Sequence, residues 1–449
     1  MGHMRADVCV VGAGYAGLSA ARALTRAARD VVVLEARDRV GGRIWTTERE
    51  GERVDIGGAW LGPTQDVVYT LAREYGIETH PTYDAGETVL AMGNDVRRYR
   101  GLVPKLNPIV VGSVGLAMAR MDRMAKRVDL ERPWTSKKAA SWDARSAGAW
   151  IERNASPGLG REMVDAVVRG LMTCDPSEVS LLHFLYLVRS AGSLQTLLGV
   201  KNGYQQDLVV GGAGRMAECM ADELGDRIHL STPVRAVAQD GGGVHVTSDA
   251  VEVRADYVVI ATPPALATRF AYSPALPPDR EQLLDRMPAG SVIKFVVRYP
   301  DAFWRKDGLS GQALGIGSPI EMTLDAGPPS GSPGVMAAFA FGPRGRLLAA
   351  NMTEHERRAF VLDELVTRFG ARAADPVDFV ERDWGTDEWS RGCFMAHLAP
   401  GILTQYGAIL REPCGRIHWA GTETATKSHG AIDGALRSGL RAAQEVLSR

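Results

Sequence analysis

Residues 8–24, VCVVGAGYAGLSAARAL, followed by VVVLEARDRVGGRIWT over residues 31–46, decide how this chain folds. Asp7 to Val11 is a short apolar run of the kind that forms a buried parallel strand. Gly12, Gly14 and Gly17 then supply G-x-G-x-x-G at the turn into a helix. Gly12 permits the tight turn, Gly14 lets backbone N–H groups approach a pyrophosphate, and Gly17 lets helix and sheet pack closely. The helix N-terminus, with Tyr15 and Ala16 in its first turn, offers unpaired donors and a partial positive charge to phosphates. Val31 to Leu34 is the second strand. It ends in Glu35, placed to accept hydrogen bonds from an adenosine ribose, with Ala36 and Arg37 directly after it. A lone glycine turn is weak evidence, but strand, turn, helix, second strand and acid in this order specify a dinucleotide site.

Residues 37–43, RDRVGGR, add a second glycine turn containing Gly42 and an arginine, Arg43, soon after the ribose acid. A nicotinamide dehydrogenase has no need of these, whereas a flavin dinucleotide lying extended across the domain needs further phosphate donors. At this point the sequence resembles the flavin-dependent amine oxidases, in which this glycine pair and arginine clamp the pyrophosphate of FAD. The resemblance continues through DIGGAWLGPTQ, NGYQQDLVVGGAGRMAE and GSVIKFVVRYPDAFWRK, and is closest over residues 390–443, SRGCFMAHLAPGILTQYGAILREPCGRIHWAGTETATKSHGAIDGALRSGLRAA. It thus spans essentially the whole chain and implies FAD as the cofactor.

Composition sets the outer limits. At 449 residues the chain can hold two or more domains with full cores. A hydrophobic content of 45%, a charged content of 23% and a net charge of −1 fit a soluble globular protein. This balance argues against a nucleic-acid partner, which requires clustered basic residues, and Arg97-Arg98 and Lys137-Lys138 are too short to qualify. Five scattered cysteines without C-x-x-C spacing predict a reducing compartment, no disulfide framework and no zinc site. Met1-Gly2-His3 before Met4 reads as a remnant of expression and is set aside. With no signal peptide and no apolar run long enough for a bilayer, the expected location is cytoplasmic, without a membrane partner. The mitochondrial relatives carry an apolar tail after the final helix, here expected from about Ile432 to Leu447, and this chain lacks it.

The expected fold class is α/β: a doubly wound, Rossmann-like FAD-binding domain with an interrupted α+β substrate-binding domain. Residues 5–79, 207–283 and 387–449 are assigned to the first, residues 80–206 and 284–386 to the second. The middle region reads as mainly helical, with a helix from roughly Lys105 to Arg127 and amphipathic segments near Ala147–Ile151 and Gly160–Leu171. DLVV, RIHL, VHVTS and VEVRADYVVIATPP read as a sheet extension rejoining the nucleotide domain, and residues 284–386 show one long alternating strand. Gly212, Gly214 and Ala217 match G-x-G-x-x-A, which taken alone would be an NADPH site. The strand that follows ends in Thr232-Pro233 with no ribose acid, so a tight turn into a helix is the favoured reading.

The resemblance assigns the remaining residues. Gly57, Gly58, Ala59 and Trp60, with Gly421, Thr422, Glu423, Gly430, Ala431 and Ile432, fall on flavin-binding segments, and Val234 on the residue whose backbone holds adenine. Lys294 matches the lysine that holds a water against flavin N5, although strand alternation by itself favours a surface lysine. Trp384 matches the tryptophan packed beside it. Cys393 matches the cysteine bonded to the flavin 8α-methyl group in monoamine oxidases. Some noncovalent relatives also keep a cysteine there, and Arg391 departs from the family's glycine, so both outcomes stand open. No metal spacing or nucleophile elbow is found. His397 and His429 fall near the flavin end and read as structural.

The implied reaction is oxidation of a small-molecule amine by hydride transfer from its α-carbon to N5. It yields an imine that hydrolyses to an aldehyde or ketone, and O2 is reduced to hydrogen peroxide. The catalytic set is Lys294, Trp384 and Phe394, and the substrate pocket Trp60, Gln205, Phe394 and Ala431. Monoamine oxidases place two tyrosines face to face before the flavin. Phe394 and Ala431 stand in their place, which predicts a bulkier or secondary amine. The alternatives are a polyamine or L-amino-acid oxidase on the same scaffold, or a catalytically silent flavin-binding protein. A homodimer is compatible with the resemblance.

Overall fold

The computed structural model describes residues 2–449 except Leu102, Val103 and Lys105. Its central sheet is made of five parallel strands: Val8–Val11, Val31–Leu34, Ile228–His229, Tyr257–Ile260 and Ile417–Trp419. Taken in chain order they lie 3-2-1-4-5 across the sheet. The order reverses beside Val8–Val11, and a doubly wound sheet holds its ligand at the carboxyl ends of the strands near such a reversal. Alternation along each strand separates two cores. Val8, Val10, Val31 and Val33 pack under the helices Tyr15–Arg26, Gly214–Leu224 and Ile432–Leu447. Cys9, Val11, Val32 and Leu34 pack on Val237, Val244, Val246 and Val253 of a second, mixed sheet. Burial on both faces explains why these strands are continuous apolar runs.

That second sheet contains Gly243–Ser248 and Val251–Ala255, as the returning strand pattern predicted, and Val234–Asp240, which that pattern did not include. Of the other predicted strands, Asp207–Val209 pairs with Trp60–Leu61 and Thr79–Pro81, and Ile228–His229 lies in the parallel sheet. It also contains Gly2–Arg5, paired in parallel with Val251–Ala255 from Gly2 opposite Val251 to Arg5 opposite Arg254. Gly2 and His3, set aside as a remnant, therefore belong to an ordered edge strand.

A seven-stranded mixed sheet forms the other half. Across it run Asp378–Asp383, Val292–Tyr299, Gly334–Phe341, Met322–Asp325, Leu309–Ile316, Glu87–Met92 and Asp95–Tyr99. The sequence reading found one strand between residues 284 and 386, where the structure has five, and missed the hairpin of residues 87–99. Gly334–Phe341 (GVMAAFAF), one of the missed strands, is buried at every residue, so it carries no in/out alternation to detect. The helical middle is present as Pro108–Ala125, Ala147–Asn154, Leu159–Met172 and Leu181–Ala191. Lys105, the predicted start of the first of these helices, lies outside the described residues. Among the described residues no helix is long and apolar enough to cross a membrane.

Candidate active site

At the carboxyl ends of the five parallel strands opens an elongated cleft, with about 1740 Å³ of space free of protein atoms including its open mouth. Gly12, Gly14, Tyr15 and Ala16 line it at the first turn, and Glu35, Ala36 and Arg37 at the end of the second strand. Gly17 does not line the cleft. A Cβ there would stand 1.8 Å from the Gly12 carbonyl oxygen, so its hydrogen is what lets the helix lie on the turn. Glu35 is buried, with one oxygen accepting from the Ala13 N–H at 2.7 Å and the other from the Arg37 N–H at 2.9 Å. These contacts aim the carboxylate and leave lone pairs for a diol.

The three arginines of RDRVGGR separate. Arg37 lines the cleft and donates to Asp387 (2.5 Å) and Ser390 (2.7 Å), tying the first and last segments of the chain together. Arg39 turns back on its own loop, donating to the Val40 and Gly42 carbonyls and stacking 4.1 Å from the Trp45 ring centre. Arg43 lines the cleft with Gly42 and forks onto Glu423 at 2.7 and 3.1 Å, while also donating to the Phe394 carbonyl at 2.8 Å. Glu423 thus sits behind the wall. Burial alone would raise its carboxyl, but the Arg43 guanidinium overrides this and holds it below the usual carboxylate range.

Gly58, Ala59, Trp60, Val234, Gly421, Thr422, Gly430, Ala431 and Ile432 all line the cleft, as do Gln205, Cys393 and Phe394. Gly57 stands just outside, its Cα packed so closely that a Cβ would meet the Arg43 carbonyl oxygen at 2.5 Å. Lys294 and Trp384 also stand behind the wall, gripping consecutive residues of the same turn. The Lys294 ammonium donates to the Gly57 carbonyl at 2.8 Å, and the Trp384 indole N–H donates to the Ile56 carbonyl at 3.2 Å. Lys294 is 3% exposed, which removes the surface reading that strand alternation favoured. Burial pulls its pKa down to about 8, against Asp55 and Cys393, which favour the charged form. Its nitrogen lies 5.0 Å from the Trp60 ring centre and 5.8 Å from that of Phe339.

The sequence reading missed a chain of aromatic rings. Trp60 and Phe339 lie 5.9 Å apart, Phe339 and Phe341 stack at 5.6 Å, and Phe341 meets Phe394 edge-on at 6.1 Å. Phe339 faces Lys294 across the ladder and Phe341 faces Val292, so cross-strand register places them and no local motif does. Five buried polar atoms on the cleft, Trp60 Nε1, Gln65 Oε1, Tyr204 Oη, Gln205 Oε1 and Thr262 Oγ1, have no hydrogen-bond partner among the described residues. Buried polar groups are almost always paired, so this cleft is built around a polar occupant. Together with the glycine turns and the aimed Glu35, they fit an extended dinucleotide. Gln65 and Thr262 were not singled out from the sequence.

The second glycine motif holds no nucleotide. The Ala213 N–H donates to both Asp55 oxygens at 3.1 Å, and the Gly214 N–H to Thr46 Oγ1 at 2.8 Å. The chain's own carboxylate therefore fills the helix N-terminus where a phosphate would sit. A Cβ at Gly212 would meet Thr46 at 2.4 Å, so the glycine serves packing. His429 is buried against His183, with ring nitrogens 3.2 Å apart, and burial lowers its pKa to about 4. His397 is buried off the cleft.

The model of the flavin containing amine oxidoreductase family matches residues 15–447. The putative flavin-containing monoamine oxidase AofH of Mycobacterium tuberculosis is 42% identical over 440 residues, 98% of this chain and 96% of that protein. A putrescine oxidase solved with putrescine superposes with a TM-score of 0.95 at 33% identity, covering 100% of both chains. Cyclohexylamine oxidase from Brevibacterium oxydans IH-35A gives 0.93 at 34% identity, over 99% of this chain and 100% of that one. Likeness of this extent, joined to a cleft with the polar lining a flavin dinucleotide needs, leaves no separate fold or cofactor to invoke: the chain belongs to the flavin-containing amine oxidoreductases and is an FAD-dependent amine oxidase.

Proposed function

We propose that this enzyme oxidises a bulky or secondary amine, and that the residues assigned above divide the cleft into a nucleotide end and a reacting end. When bound, FAD would supply the two-electron chemistry: oxidation of the amine to an imine that hydrolyses to an aldehyde or ketone, with O2 as the acceptor and hydrogen peroxide as its product. The rest is positioning and exclusion of water by the protein. Gly12, Gly14 and Glu35 hold the adenosine and pyrophosphate part, with Arg43 fixed beside them by Glu423. Residues 421–423 and 430–432 hold the other end. On this reading the FAD-binding part comprises residues 5–79, 207–283 and 387–449. Five free cysteines support a reducing, cytoplasmic setting.

The observation that carries the substrate reading is the asymmetry of the reacting end. Trp60, Phe339, Phe341 and Phe394 give continuous aromatic packing on one side, while Ala431 lines the cleft with a methyl group and no ring. A missing ring opens volume and forfeits an amine–aromatic contact of up to about 2 kcal/mol. Two buried polar atoms, Gln205 Oε1 and Trp60 Nε1, remain for the substrate or an ordered water. A diamine would need a free acid at its far end. The buried Glu321 is already paired with Arg169 at 2.6 Å and Arg344 at 2.9 Å and does not line the cleft. A carboxylate substrate would need a free arginine fork, and Arg43 spends its own on Glu423.

The test is a panel of amines scored by peroxide release and by anaerobic bleaching of the yellow enzyme. Cyclic or secondary amines are expected to outperform benzylamine, and NADPH alone is expected to leave the colour unchanged. Ala431→Tyr should raise kcat/KM for small arylalkylamines and lower it for the preferred amine, about tenfold or more each way. A wild type that turns over benzylamine as fast as any larger amine contradicts the open-pocket reading. Cys393 lines the cleft with its thiol pushed up to about 12 by burial. Yellow colour kept in the acid-denatured pellet of wild type, and released from Cys393→Ala, identifies a thioether. FAD freed from the wild type assigns Cys393 to packing.

A further inference from the structure

Off the cleft, three side chains with metal-binding atoms converge. Cys174 Sγ, a carboxylate oxygen of Glu178 and a ring nitrogen of His397 all lie within 4.8 Å of one another. They come from separate parts of the chain. Cys174 follows the helix Leu159–Met172, Glu178 precedes the helix Leu181–Ala191, and His397 lies on the segment that begins with Cys393 and Phe394.

Two features distinguish this cluster from a chance meeting of polar groups. Cys174 is fully enclosed and His397 only 7% exposed, so the thiol and the imidazole meet away from water. His397 Nδ1 is buried without a hydrogen-bond partner among the described residues. An orphaned buried nitrogen is costly, and in a native fold it commonly marks an unseen water or ion. Burial also lowers the His397 pKa, so the ring stays neutral, the form that ligates.

We propose that Cys174, Glu178 and His397 bind one divalent cation of the zinc class, with water completing a tetrahedron. Thiolate, imidazole and carboxylate are zinc's ordinary ligands, at about 2.3, 2.0–2.1 and 2.0–2.2 Å. A tetrahedron with those bonds has edges of roughly 3.3–3.7 Å, and atoms that lie within 4.8 Å of one another reach it by closing no more than roughly 1.5 Å. Glu178 is the one that can move. It is exposed, and among the described residues its side chain is held by the Asp175 N–H at 2.9 Å and by a half-exposed pairing with Arg346 at 3.5 Å. Such a surface pair is worth little and yields readily to a dication.

Burial, with Glu178 and Asp175 nearby, raises the Cys174 thiol far above its ordinary range, while Arg346 works the other way. The thiol therefore keeps its proton until the cation arrives. Binding forms an S–metal bond and releases that one proton to solvent, and no electrons are exchanged.

The site would brace one wall of the cleft. Thr173, next to Cys174, already donates from Oγ1 to the Cys393 carbonyl at 2.6 Å and accepts from the Phe394 N–H at 3.2 Å. The Ser180 N–H donates to the Leu398 carbonyl at 2.8 Å. A cation between these two clamps would lock the segment carrying Cys393 and Phe394 to the helical region.

The test uses the FAD-loaded enzyme, stripped by dialysis against a chelator and equilibrated with zinc chloride at several pH values. Wild type should take up one zinc per chain, with affinity falling about tenfold per pH unit on acidification because one proton is displaced. Its thermal midpoint should rise with zinc. Cys174→Ala and His397→Gln should lose the zinc while keeping the visible flavin spectrum, and Glu178→Gln should weaken it about tenfold or more. Where Cys174→Ala fails to hold flavin, His397→Gln decides. Zinc uptake equal to wild type in the variants, or no uptake by wild type, overturns the site.

Discussion

Gly17→Ala and Gly14→Ala should fail in different ways, and the contrast separates fold from cofactor. A Cβ at Gly17 would lie 1.8 Å from the Gly12 carbonyl oxygen and 3.3 Å from the Ala261 Cβ. These neighbours are a strand-end backbone and a packed methyl, so neither can swing aside. The helix Tyr15–Arg26 would have to lift from the sheet, at a cost beyond the roughly 1–3 kcal/mol of ordinary overpacking. The expected product is poorly soluble or melts many degrees lower. At Gly14 the added Cβ would find only the Gly42 Cα, at 3.8 Å, and would project beside the cleft. Gly14 already has φ −74°, open to alanine. Gly14→Ala should therefore fold, give a normal far-ultraviolet spectrum, and bind FAD at least a hundredfold more weakly. The check is flavin absorbance per chain set against the thermal midpoint. If Gly17→Ala stays yellow and stable, the close-approach account of this turn is wrong.

Lys294→Met is expected to keep FAD and the amine half-reaction while slowing re-oxidation by O2 roughly a hundredfold or more, the scale of a positioned acid–base group. Lys294 stands behind the cleft wall rather than on it, held by the Gly57 carbonyl and flanked by the Trp60 and Phe339 rings, so methionine can fill its space. Negative charge developing on oxygen is stabilised by the ammonium and not by the neutral amine. The groups acting on that equilibrium are burial, which lowers the pKa to about 8, and Asp55 and Cys393, which oppose it. The sign follows: below pH 8 the ammonium is present and re-oxidation is fast, and the rate falls as pH rises through about 8. The same step should be absent from Lys294→Met, which makes its pH profile flat across that range. Stopped-flow mixing of amine-reduced enzyme with oxygenated buffer measures both. A profile in the variant that keeps the wild-type step would assign the titration to another group.

The first forty-five residues were sufficient for the nucleotide half because every element there is local: strand, turn, helix and acid follow one another within the reach of a period and a motif. The final segment was legible through its resemblance to the family, and its helix runs from Ile432 to Leu447 as expected. The mixed sheet was not legible, since strands buried on both faces lose the alternation that marks a strand, as Gly334–Phe341 does. Lys294 shows the limit most clearly. Its local pattern suits a surface strand, and only the strands paired on either side, Gly334–Phe341 and Asp378–Asp383, enclose it. The second glycine motif shows the converse. Its spacing suits a phosphate, and only the approach of Thr46 and Asp55, more than 150 positions earlier, fills the place.

What the sequence by itself determined is the class of cofactor and the turn that receives it, because close approach of backbone to phosphate demands glycine at fixed offsets whatever surrounds it. What the tertiary structure decided is the reacting end: which arginine faces the cleft, which lysine is buried, and which rings line up from Trp60 to Phe394. Those depend on contacts between residues hundreds of positions apart, such as Arg43 with Glu423, and no local spacing in the chain encodes a pairing made only when two distant surfaces close on each other.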